Sequence, residues 1–308
     1  MIIDKKKFGS YTVEVSDVDK VLFPEDDFTK GDLIDYYNRI SDVLLPHLKD
    51  RPITMQRFPD GINEEGFYQK EVPDYFPDWI ERIKVEKKEG GSQNQVICNN
   101  KATLVYLADK ACITPHIWLS RKDQLHHPDK IVFDLDPPDD DFEPVRSAAS
   151  SLKKILDHLD LTSFVMTTGS RGLHVAVALD RSEDFDAVRD FAQRVAEYLA
   201  SKHPDIFTTE ERKKKRRGRL FLDILRNAYG QTSVAPYAVR AKTGAPIATP
   251  IDWKELKDKN LNSQSYTIDN IFQRLGQKDD PWKDIYQQTH TLDKPKNRLQ
   301  SLPSNKKS

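Results

Sequence analysis

Apolar and polar positions alternate along residues 11–23, YTVEVSDVDKVLF, a period that predicts extended chain. The turn-forming PEDDF follows, and the period then changes. Leu33, Ile34, Tyr37, Ile40, Leu44 and Leu48 recur at helical spacing, so a helix starts at Thr29, with Asp32 three residues on as its capping partner. RPITMQRF, residues 51–58, reads as a strand closed by the PDG turn. Between residues 96 and 107 short apolar segments fit either strand or helix. A second helix is predicted over 143–159, with Val145, Ala149, Leu152, Ile155 and Leu159 on one face. SFVMTT (163–168) and LHVAVAL read as two strands joined by the turn GSRG, the second with alternation. Another helix runs from Phe185 to Leu199, and LFLDILRN reads as an apolar strand with Asp223 at its middle. From about residue 291 the chain turns to Lys, Pro, Asn and Ser, which predicts a loose tail over 291–308.

The stretch IVFDLDPP, residues 131–138, organises the rest. Its β-branched apolar lead predicts a strand, and Pro137 and Pro138 end it, because proline offers no N–H to a ladder. Side chains two apart share a face, so Asp134 and Asp136 point one way and Leu135 the other. Adjacent carboxylates raise each other's pKa unless a cation lies between them, and Mg²⁺ or Mn²⁺ suits an all-oxygen pair. Two such ions about 4 Å apart can run an in-line phosphoryl displacement. The plain alternative is the polar outer face of an edge strand.

Composition narrows the setting. The 308 residues suffice for one large domain or two modules, and 37% hydrophobic with 31% charged residues fits a globular chain. The net charge of −1 leaves nucleic-acid contact to local clusters. There is no apolar run of membrane-spanning length and no signal-peptide pattern, which favours the cytoplasm and no membrane partner. Cys98 and Cys112 suggest neither a zinc cluster nor a disulfide framework.

Other stretches carry candidate chemistry. In GFYQK, Phe67 and Tyr68 beside Lys70 offer an aromatic face next to a cation, where the plain reading is a strand with one core aromatic. His116, two before Trp118, is a candidate for a phosphate or sugar hydroxyl, or a packed core residue. His126, His127 and Asp129 lie in a turn-like loop and read as solvated. TTGSRGLH, residues 167–174, offers glycines, hydroxyls, Arg171 and His174, and such a turn can cradle phosphate oxygens. RKKKRRGR, residues 212–219, holds seven cations in eight positions, a solvated arm or a guide for an anion. With Asp223 close behind it, a third carboxylate becomes available, and three on adjacent strands are what two divalent ions need to hold a triphosphate.

The chain resembles the polymerase domain of bacterial and archaeal DNA ligase D, in the archaeo-eukaryotic primase superfamily. The matching stretches are DKVLFPEDDFTKGDLIDYY, RFPDGINEEGFYQK, PHIWLSR, HHPDKIVFDLDPP, GSRGLHVAV and FLDILRNAYGQTSVAPYAVRAKTGAPIATP, in the family's order, over roughly residues 14–260. The resemblance implies an α+β fold over 1–290: an N-terminal α/β module over about 1–110 and a primase-like core with an RNA-recognition-like sheet and flanking helices over about 111–290. It implies extension of primers and filling of gaps at DNA double-strand breaks in non-homologous end joining, from NTPs or dNTPs and favouring ribonucleotides. Ku and a separate or fused DNA ligase are the implied partners. No ligase or nuclease motif is present, which reads as a stand-alone polymerase or an excised domain.

Residue by residue, the resemblance puts the carboxylates for two Mn²⁺ or Mg²⁺ ions on Asp134, Asp136 and Asp223. The phosphate turn falls on Thr168, Gly169, Arg171, Gly172 and His174, with Thr168 where the family usually has serine. His116 and Arg240 resemble residues near the incoming nucleotide, and Phe67 and Tyr68 the aromatic pair facing nucleotide and template. Lys20 and Lys30 resemble lysines that grip a 5′-phosphate, with Arg57 and Lys70 joining that basic surface. Arg216 and Arg219 both fit a phosphate role. Three alternatives stay open at this point: a general primase-like polymerase, a metal-dependent glycosyltransferase using the D-x-D pair, and a non-catalytic nucleic-acid-binding module.

Overall fold

The computed structural model describes residues 3–303. In chain order the strands are β1 (Ile3–Phe8), β2 (Tyr11–Ser16), β3 (Val21–Phe23), β4 (Phe28–Thr29), β5 (Pro52–Arg57), β6 (Phe67–Gln69), β7 (Arg82–Glu86), β8 (Ser92–Ile97) and β9 (Cys112–Trp118). They continue with β10 (Lys130–Asp136), β11 (Ser163–Thr167), β12 (Leu173–Ala178), β13 (Phe207–Thr208), β14 (Leu220–Asp223), β15 (Thr232–Val234) and β16 (Pro250–Ile251). The helices are α1 (Lys30–Leu48), α2 (Lys101–Asp109), α3 (Glu143–His158), α4 (Phe185–Lys202), α5 (Ile271–Gln277) and α6 (Asp293–Ser301). The mixture is α+β, as expected.

The chain divides into two compact units, and not at a single cut. The first holds residues 1–123, 232–249 and 266–279, and the second holds 124–231, 250–265 and 280–308. A lone boundary near residue 110 therefore fails: β9, expected in the catalytic core, pairs with β5 over Ile53–Arg57. That ladder forms between residues about sixty apart, which no local pattern reveals.

In the first unit, strands run in the order β15-β9-β5-β8-β7, with β6 also pairing on β5. Helix α1 packs its apolar stripe inward, with Leu33, Ile34, Ile40, Leu44 and Leu48 fully buried. Its start follows the predicted capping box: Thr29 Oγ1 accepts from Asp32 N, and the Asp32 carboxylate accepts from Thr29 N at 2.8 Å. The buried hydroxyls of Tyr36 and Tyr37 donate to Tyr237 O and Ile113 O, which removes the cost of burying them. The unresolved 96–107 stretch is the end of β8 followed by α2. Residues Ala102 to Asp109 are all buried, so α2 lacks the polar face that makes a helix legible.

In the second unit, the order is β13-β14-β10-β12-β11-β16, with only β13–β14 parallel. The D-x-D strand β10 is thus central, which excludes the edge-strand reading. Strand β12 is buried at every position rather than alternating, in a sheet on which α3 and α4 pack. On α3, Leu156 is buried and Ile155 only half-buried, a small rotation of the predicted face. The loose-tail expectation is corrected over its described part. Residues Asp293–Ser301 form α6, with Pro295 and Leu299 buried, Lys296 paired to Glu183 and Arg298 to Asp160. Its last five residues, 304–308, lie outside the described part. Among the described residues no helix is long and apolar enough to cross a membrane.

Candidate active site

In the second unit, β10 exposes Asp134 and Asp136 on one face while Leu135 is fully buried. Strand β14 runs antiparallel beside it, and Asp223 stands in register opposite Asp134. Asp223 ends β14 rather than sitting at its middle. The strand cannot continue because Asp223 Oδ1 accepts from Leu225 N at 2.7 Å and starts a 3₁₀ turn. Asn227 then substitutes for the missing ladder. It donates to Val132 O at 2.7 Å and accepts from Val132 N at 2.8 Å. Burial first, and then the charge of Asp134, push the Asp223 carboxyl above its ordinary value.

Three arginines and a histidine surround the other two carboxylates. Asp136 accepts from Arg171 Nη2 on Oδ1 at 3.1 Å and from Arg216 Nη1 on Oδ2 at 3.2 Å. Asp134 Oδ2 lies 3.5 Å from His174 Nε2 and 3.6 Å from Arg226 Nε. Arg216 is the member of the basic run that reaches the site. Its guanidinium stacks over Phe221 at 3.9 Å and donates to Glu210 O and Glu211 O. Arg219 instead donates to Arg216 O and Pro204 O and braces the loop.

The TTGSRGLH turn joins β11 to β12 and lies against the D-x-D strand. An added Cβ on Gly172 would fall 2.1 Å from Leu135 O, so only glycine allows this approach. Gly169 takes a positive φ of 63°. Thr168 serves the turn itself. Its hydroxyl donates to Gly172 O at 3.1 Å and receives Ser170 N and Gly172 N at 3.3 Å. Those two amides are thus engaged within the turn, while Arg171 reaches out of it to Asp136. Ser263 completes the brace from below, donating to Gly172 O at 2.8 Å and lying 3.1 Å from Thr168 Oγ1. Gln264 donates to Ser170 O, and Arg146 binds the carbonyls of Leu256, Asp258 and Leu261, which holds this loop in place. Ser263, Gln264 and Arg146 lie outside every recognised motif and act across a long sequence separation, and within FLDILRN the sequence does not single out the roles of Arg226 and Asn227. Only the charge of Arg226, three residues past Asp223, hinted at its place.

The donor set Asp134, Asp136 and Asp223 is all oxygen and lies on adjacent strands, which suits Mg²⁺ or Mn²⁺. The raised Asp223 marks a carboxylate that is buried and next to Asp134, a cost that a divalent ion would relieve. Among the described residues no three His, Cys, Asp or Glu side chains converge tightly enough to hold an ion as they stand. Asp136, with an arginine on each oxygen, would have to release them to take an ion.

The remaining candidates belong to the first unit. Phe67 and Tyr68 are 43% and 60% exposed on the short β6, so neither is the core aromatic of the plain reading. Tyr68 pairs with Gln56 across the ladder, and its ring meets His116 edge-on at 5.4 Å. His116 is largely buried on β9. Arg57 lies over the Phe67 ring at 5.5 Å, and Lys70 is exposed just after β6. Arg240 is half-buried, its N–H donating to Pro246 O. Lys30 N donates to Lys20 O, so the two lysines are backbone neighbours. Lys20 Nζ pairs with Asp60 at 2.6 Å. Lys30 is buried, its ammonium 3.2 Å from Asp109 Oδ1. A lysine in a helix first turn is locally unfavourable, and Asp109 is an anion that faces it. His126, in contrast, is exposed and stacks on Tyr229 at 4.7 Å.

A family model described as LigD, primase-polymerase domain, matches residues 29–282. The chain is similar to the bifunctional non-homologous end joining protein LigD of Bacillus subtilis, 34% identical over 89% of this chain and 44% of that protein. It is also similar to the multifunctional non-homologous end joining protein LigD of Mycolicibacterium smegmatis, 32% identical over 85% of this chain and 34% of that one. The chain thus spans less than half the length of these relatives. Among solved structures, it resembles the polymerase domain of Mycobacterium tuberculosis ligase D in complex with DNA. The TM-score is 0.84, with 28% identity, 90% of this chain and 99% of that chain covered.

Proposed function

This chain belongs to the LigD primase-polymerase family, a nucleotidyltransferase family, and from that premise we propose that it extends primers and fills gaps at DNA double-strand breaks in non-homologous end joining. The observation that carries the reading is the face-to-face register of Asp134 and Asp223, with Asp136 on the same strand face as Asp134. Membership sets aside the glycosyltransferase alternative, and three intact carboxylates speak against a non-catalytic module.

Asp134, Asp136 and Asp223 would hold two divalent ions, Mn²⁺ or Mg²⁺, which when bound neutralise the transferring phosphate and lower the pKa of the primer hydroxyl. The chain's own groups do the rest. Arg171 and Arg216, displaced from Asp136, are guanidiniums already within reach of that carboxylate's surroundings and suited to triphosphate oxygens. His174, 3.5 Å from Asp134, holds that carboxylate in place. Gly169 and Gly172 shape the turn, and Thr168 rigidifies it. In the first unit, Tyr68, Phe67 and His116 offer ring faces and a polar edge to a nucleobase and ribose. Arg240 supplies a further cation, while Lys20, Arg57 and Lys70 form a basic surface for DNA.

Ribonucleotides are proposed to enter at least as well as deoxyribonucleotides. Since the Thr168 hydroxyl is engaged within its turn, His116 is the residue left to meet a 2′-hydroxyl. Ku and a DNA ligase, fused or separate, are the proposed partners, in the cytoplasm on the nucleoid. Primer extension on gapped DNA with each nucleotide class and each metal tests the whole reading. Native protein should add nucleotides, and Asp136→Ala should add none while still binding DNA. Normal extension by Asp136→Ala, or a strong deoxynucleotide preference, contradicts the corresponding part.

A further inference from the structure

A second aromatic face lies in the first unit, joined to Phe67 and Tyr68 through Arg57. The Arg57 guanidinium covers Phe67, donates to Gln69 Oε1 at 2.7 Å and donates to the Tyr75 hydroxyl at 2.9 Å. Beyond Tyr75 opens a cleft of about 670 Å³, within the size range of ligand sites. Its floor is Tyr106, which meets Trp79 edge-on at 6.0 Å. One wall is Trp79, tilted against Tyr11 at 5.0 Å, and the other is the β1–β2 hairpin. Tyr75 is 60% exposed at the mouth. Phe67, Tyr68 and Tyr75 are all exposed, and Arg57 touches both Phe67 and Tyr75, which links the cleft mouth to the β6 aromatics.

Two lysines, Lys5 and Lys110, and one acid, Glu14, line the cleft. Asp109 sits between Lys30 at 3.2 Å and Lys110 at 2.9 Å, so one carboxylate faces two ammoniums. Lys110 also lies over the Tyr106 ring at 5.0 Å, on the cleft floor. Lys5 lines the cleft from the hairpin, in the run Lys5, Lys6, Lys7. Its pairing with Glu14 is between exposed groups and easily exchanged for another anion. Aromatic faces interleaved with cations suit a chain of stacked rings joined by phosphates. A duplex keeps its base faces covered, so the strand must be single.

We propose that this cleft is a stacking subsite for the unpaired stretch of the template strand, with bases against Tyr75 and Trp79 and phosphates against Arg57, Lys110 and Lys5. The proposal rests on the gap-filling reading, because the Phe67–Tyr68 face is what supplies the template. It adds a length dependence that the gap-filling reading does not require.

The test is fluorescence anisotropy with labelled duplexes carrying an unpaired template stretch of one or of eight nucleotides. The native protein should bind the longer stretch about tenfold more tightly, with quenching of Trp79 fluorescence that Trp79→Phe removes. Tyr75→Ala should lose most of that gain yet bind and extend the one-nucleotide substrate as the native protein does. Tyr75→Phe should restore the gain. Lys110→Gln, which leaves the aromatic floor in place, should reduce the gain and its salt dependence. Should Trp79 substitutions unfold the protein, the Tyr75 and Lys110 variants still decide. No length dependence in the native protein, or one unchanged in Tyr75→Ala, overturns the proposal. An acidic peptide that binds the cleft in place of DNA also overturns it. Failure of the native protein to extend even the one-nucleotide substrate overturns the gap-filling reading instead.

Discussion

Asp134 and Asp223 face each other across the β10–β14 ladder, two carboxylates in direct register on adjacent antiparallel strands. Like charges so placed destabilise a sheet, and this pair does so in its most buried part of the site. His174 and Arg226 lie within 3.6 Å of Asp134 and ease that cost, and on the proposed function the pair serves chemistry rather than stability.

Asp223→Asn should therefore stabilise the metal-free protein while abolishing nucleotide addition. The folded-state value of Asp223 is raised, so the folded protein holds this proton more tightly than the unfolded chain does. Stability is lost as pH rises from the unfolded carboxylate value, about 3.9, through the higher folded value, and the deficit persists above it. In thermal melts without divalent ions, the variant should have the higher Tm at pH 7–8, and the two curves should merge below about pH 4. Mn²⁺ should raise the native Tm and leave the variant's nearly unchanged. Equal metal-free Tm values at pH 7 would show that the two charges do not oppose each other.

Gly172→Ala should separate the phosphate turn from the D-x-D strand. Its new methyl would meet Leu135 O, a backbone atom that cannot step aside cheaply. We expect a loss of about 1–3 kcal/mol in denaturant unfolding, typical of forced overpacking. The displaced turn carries Arg171, so nucleotide addition should fall further than stability does. Unchanged unfolding and extension would mean that the close approach is not needed.

Ser263→Ala removes the hydroxyl that braces the turn through Gly172 O and Thr168 Oγ1. The expected stability cost is about 1 kcal/mol, that of one buried hydrogen bond. Steady-state extension should show a higher KM for the nucleotide with kcat less affected, and Ser263→Thr should restore it. A fall in kcat alone would place Ser263 in another role.

The parts of this fold that were legible are those with local causes. The α1 capping box is spelled within four residues, and the Asp134–Asp136 face follows from the two-residue period of a strand. What escaped depended on burial or on distant partners. Helix α2 and strand β12 are buried all round, so neither shows the polar positions that mark a period. The Lys, Pro and Asn content of residues 293–301 hid α6, whose anchors Glu183 and Asp160 lie more than a hundred residues upstream. The site divides the same way. Its carboxylates and Arg171 stand in compact motifs, whereas Ser263 and Arg146 act on the phosphate turn from separate segments.

Lys20 and Lys30 should give different results although they are backbone neighbours. Lys20 is partly exposed, and its pairing with Asp60 is a surface contact of little energy. It is free to exchange Asp60 for a dianionic 5′-phosphate, a stronger, charge-assisted partner. Lys20→Ala should keep native stability and basal extension but lose the preference for a phosphorylated gap, and the native preference should fade as salt rises. Lys30 is buried against Asp109, and its removal leaves that carboxylate with Lys110 and the Ser16 N–H. Lys30→Ala should cost about 3 kcal/mol, the low end for breaking a buried pair, because Lys110 remains. Its effect on gap filling should then follow its loss of folded protein. The measurement is urea unfolding of each variant beside competition binding between gapped DNA with and without the 5′-phosphate. A stable Lys30→Ala protein that has lost phosphate preference would show that Lys30 reaches the DNA after all. A Lys20→Ala protein that keeps the preference would remove Lys20 from the phosphate site.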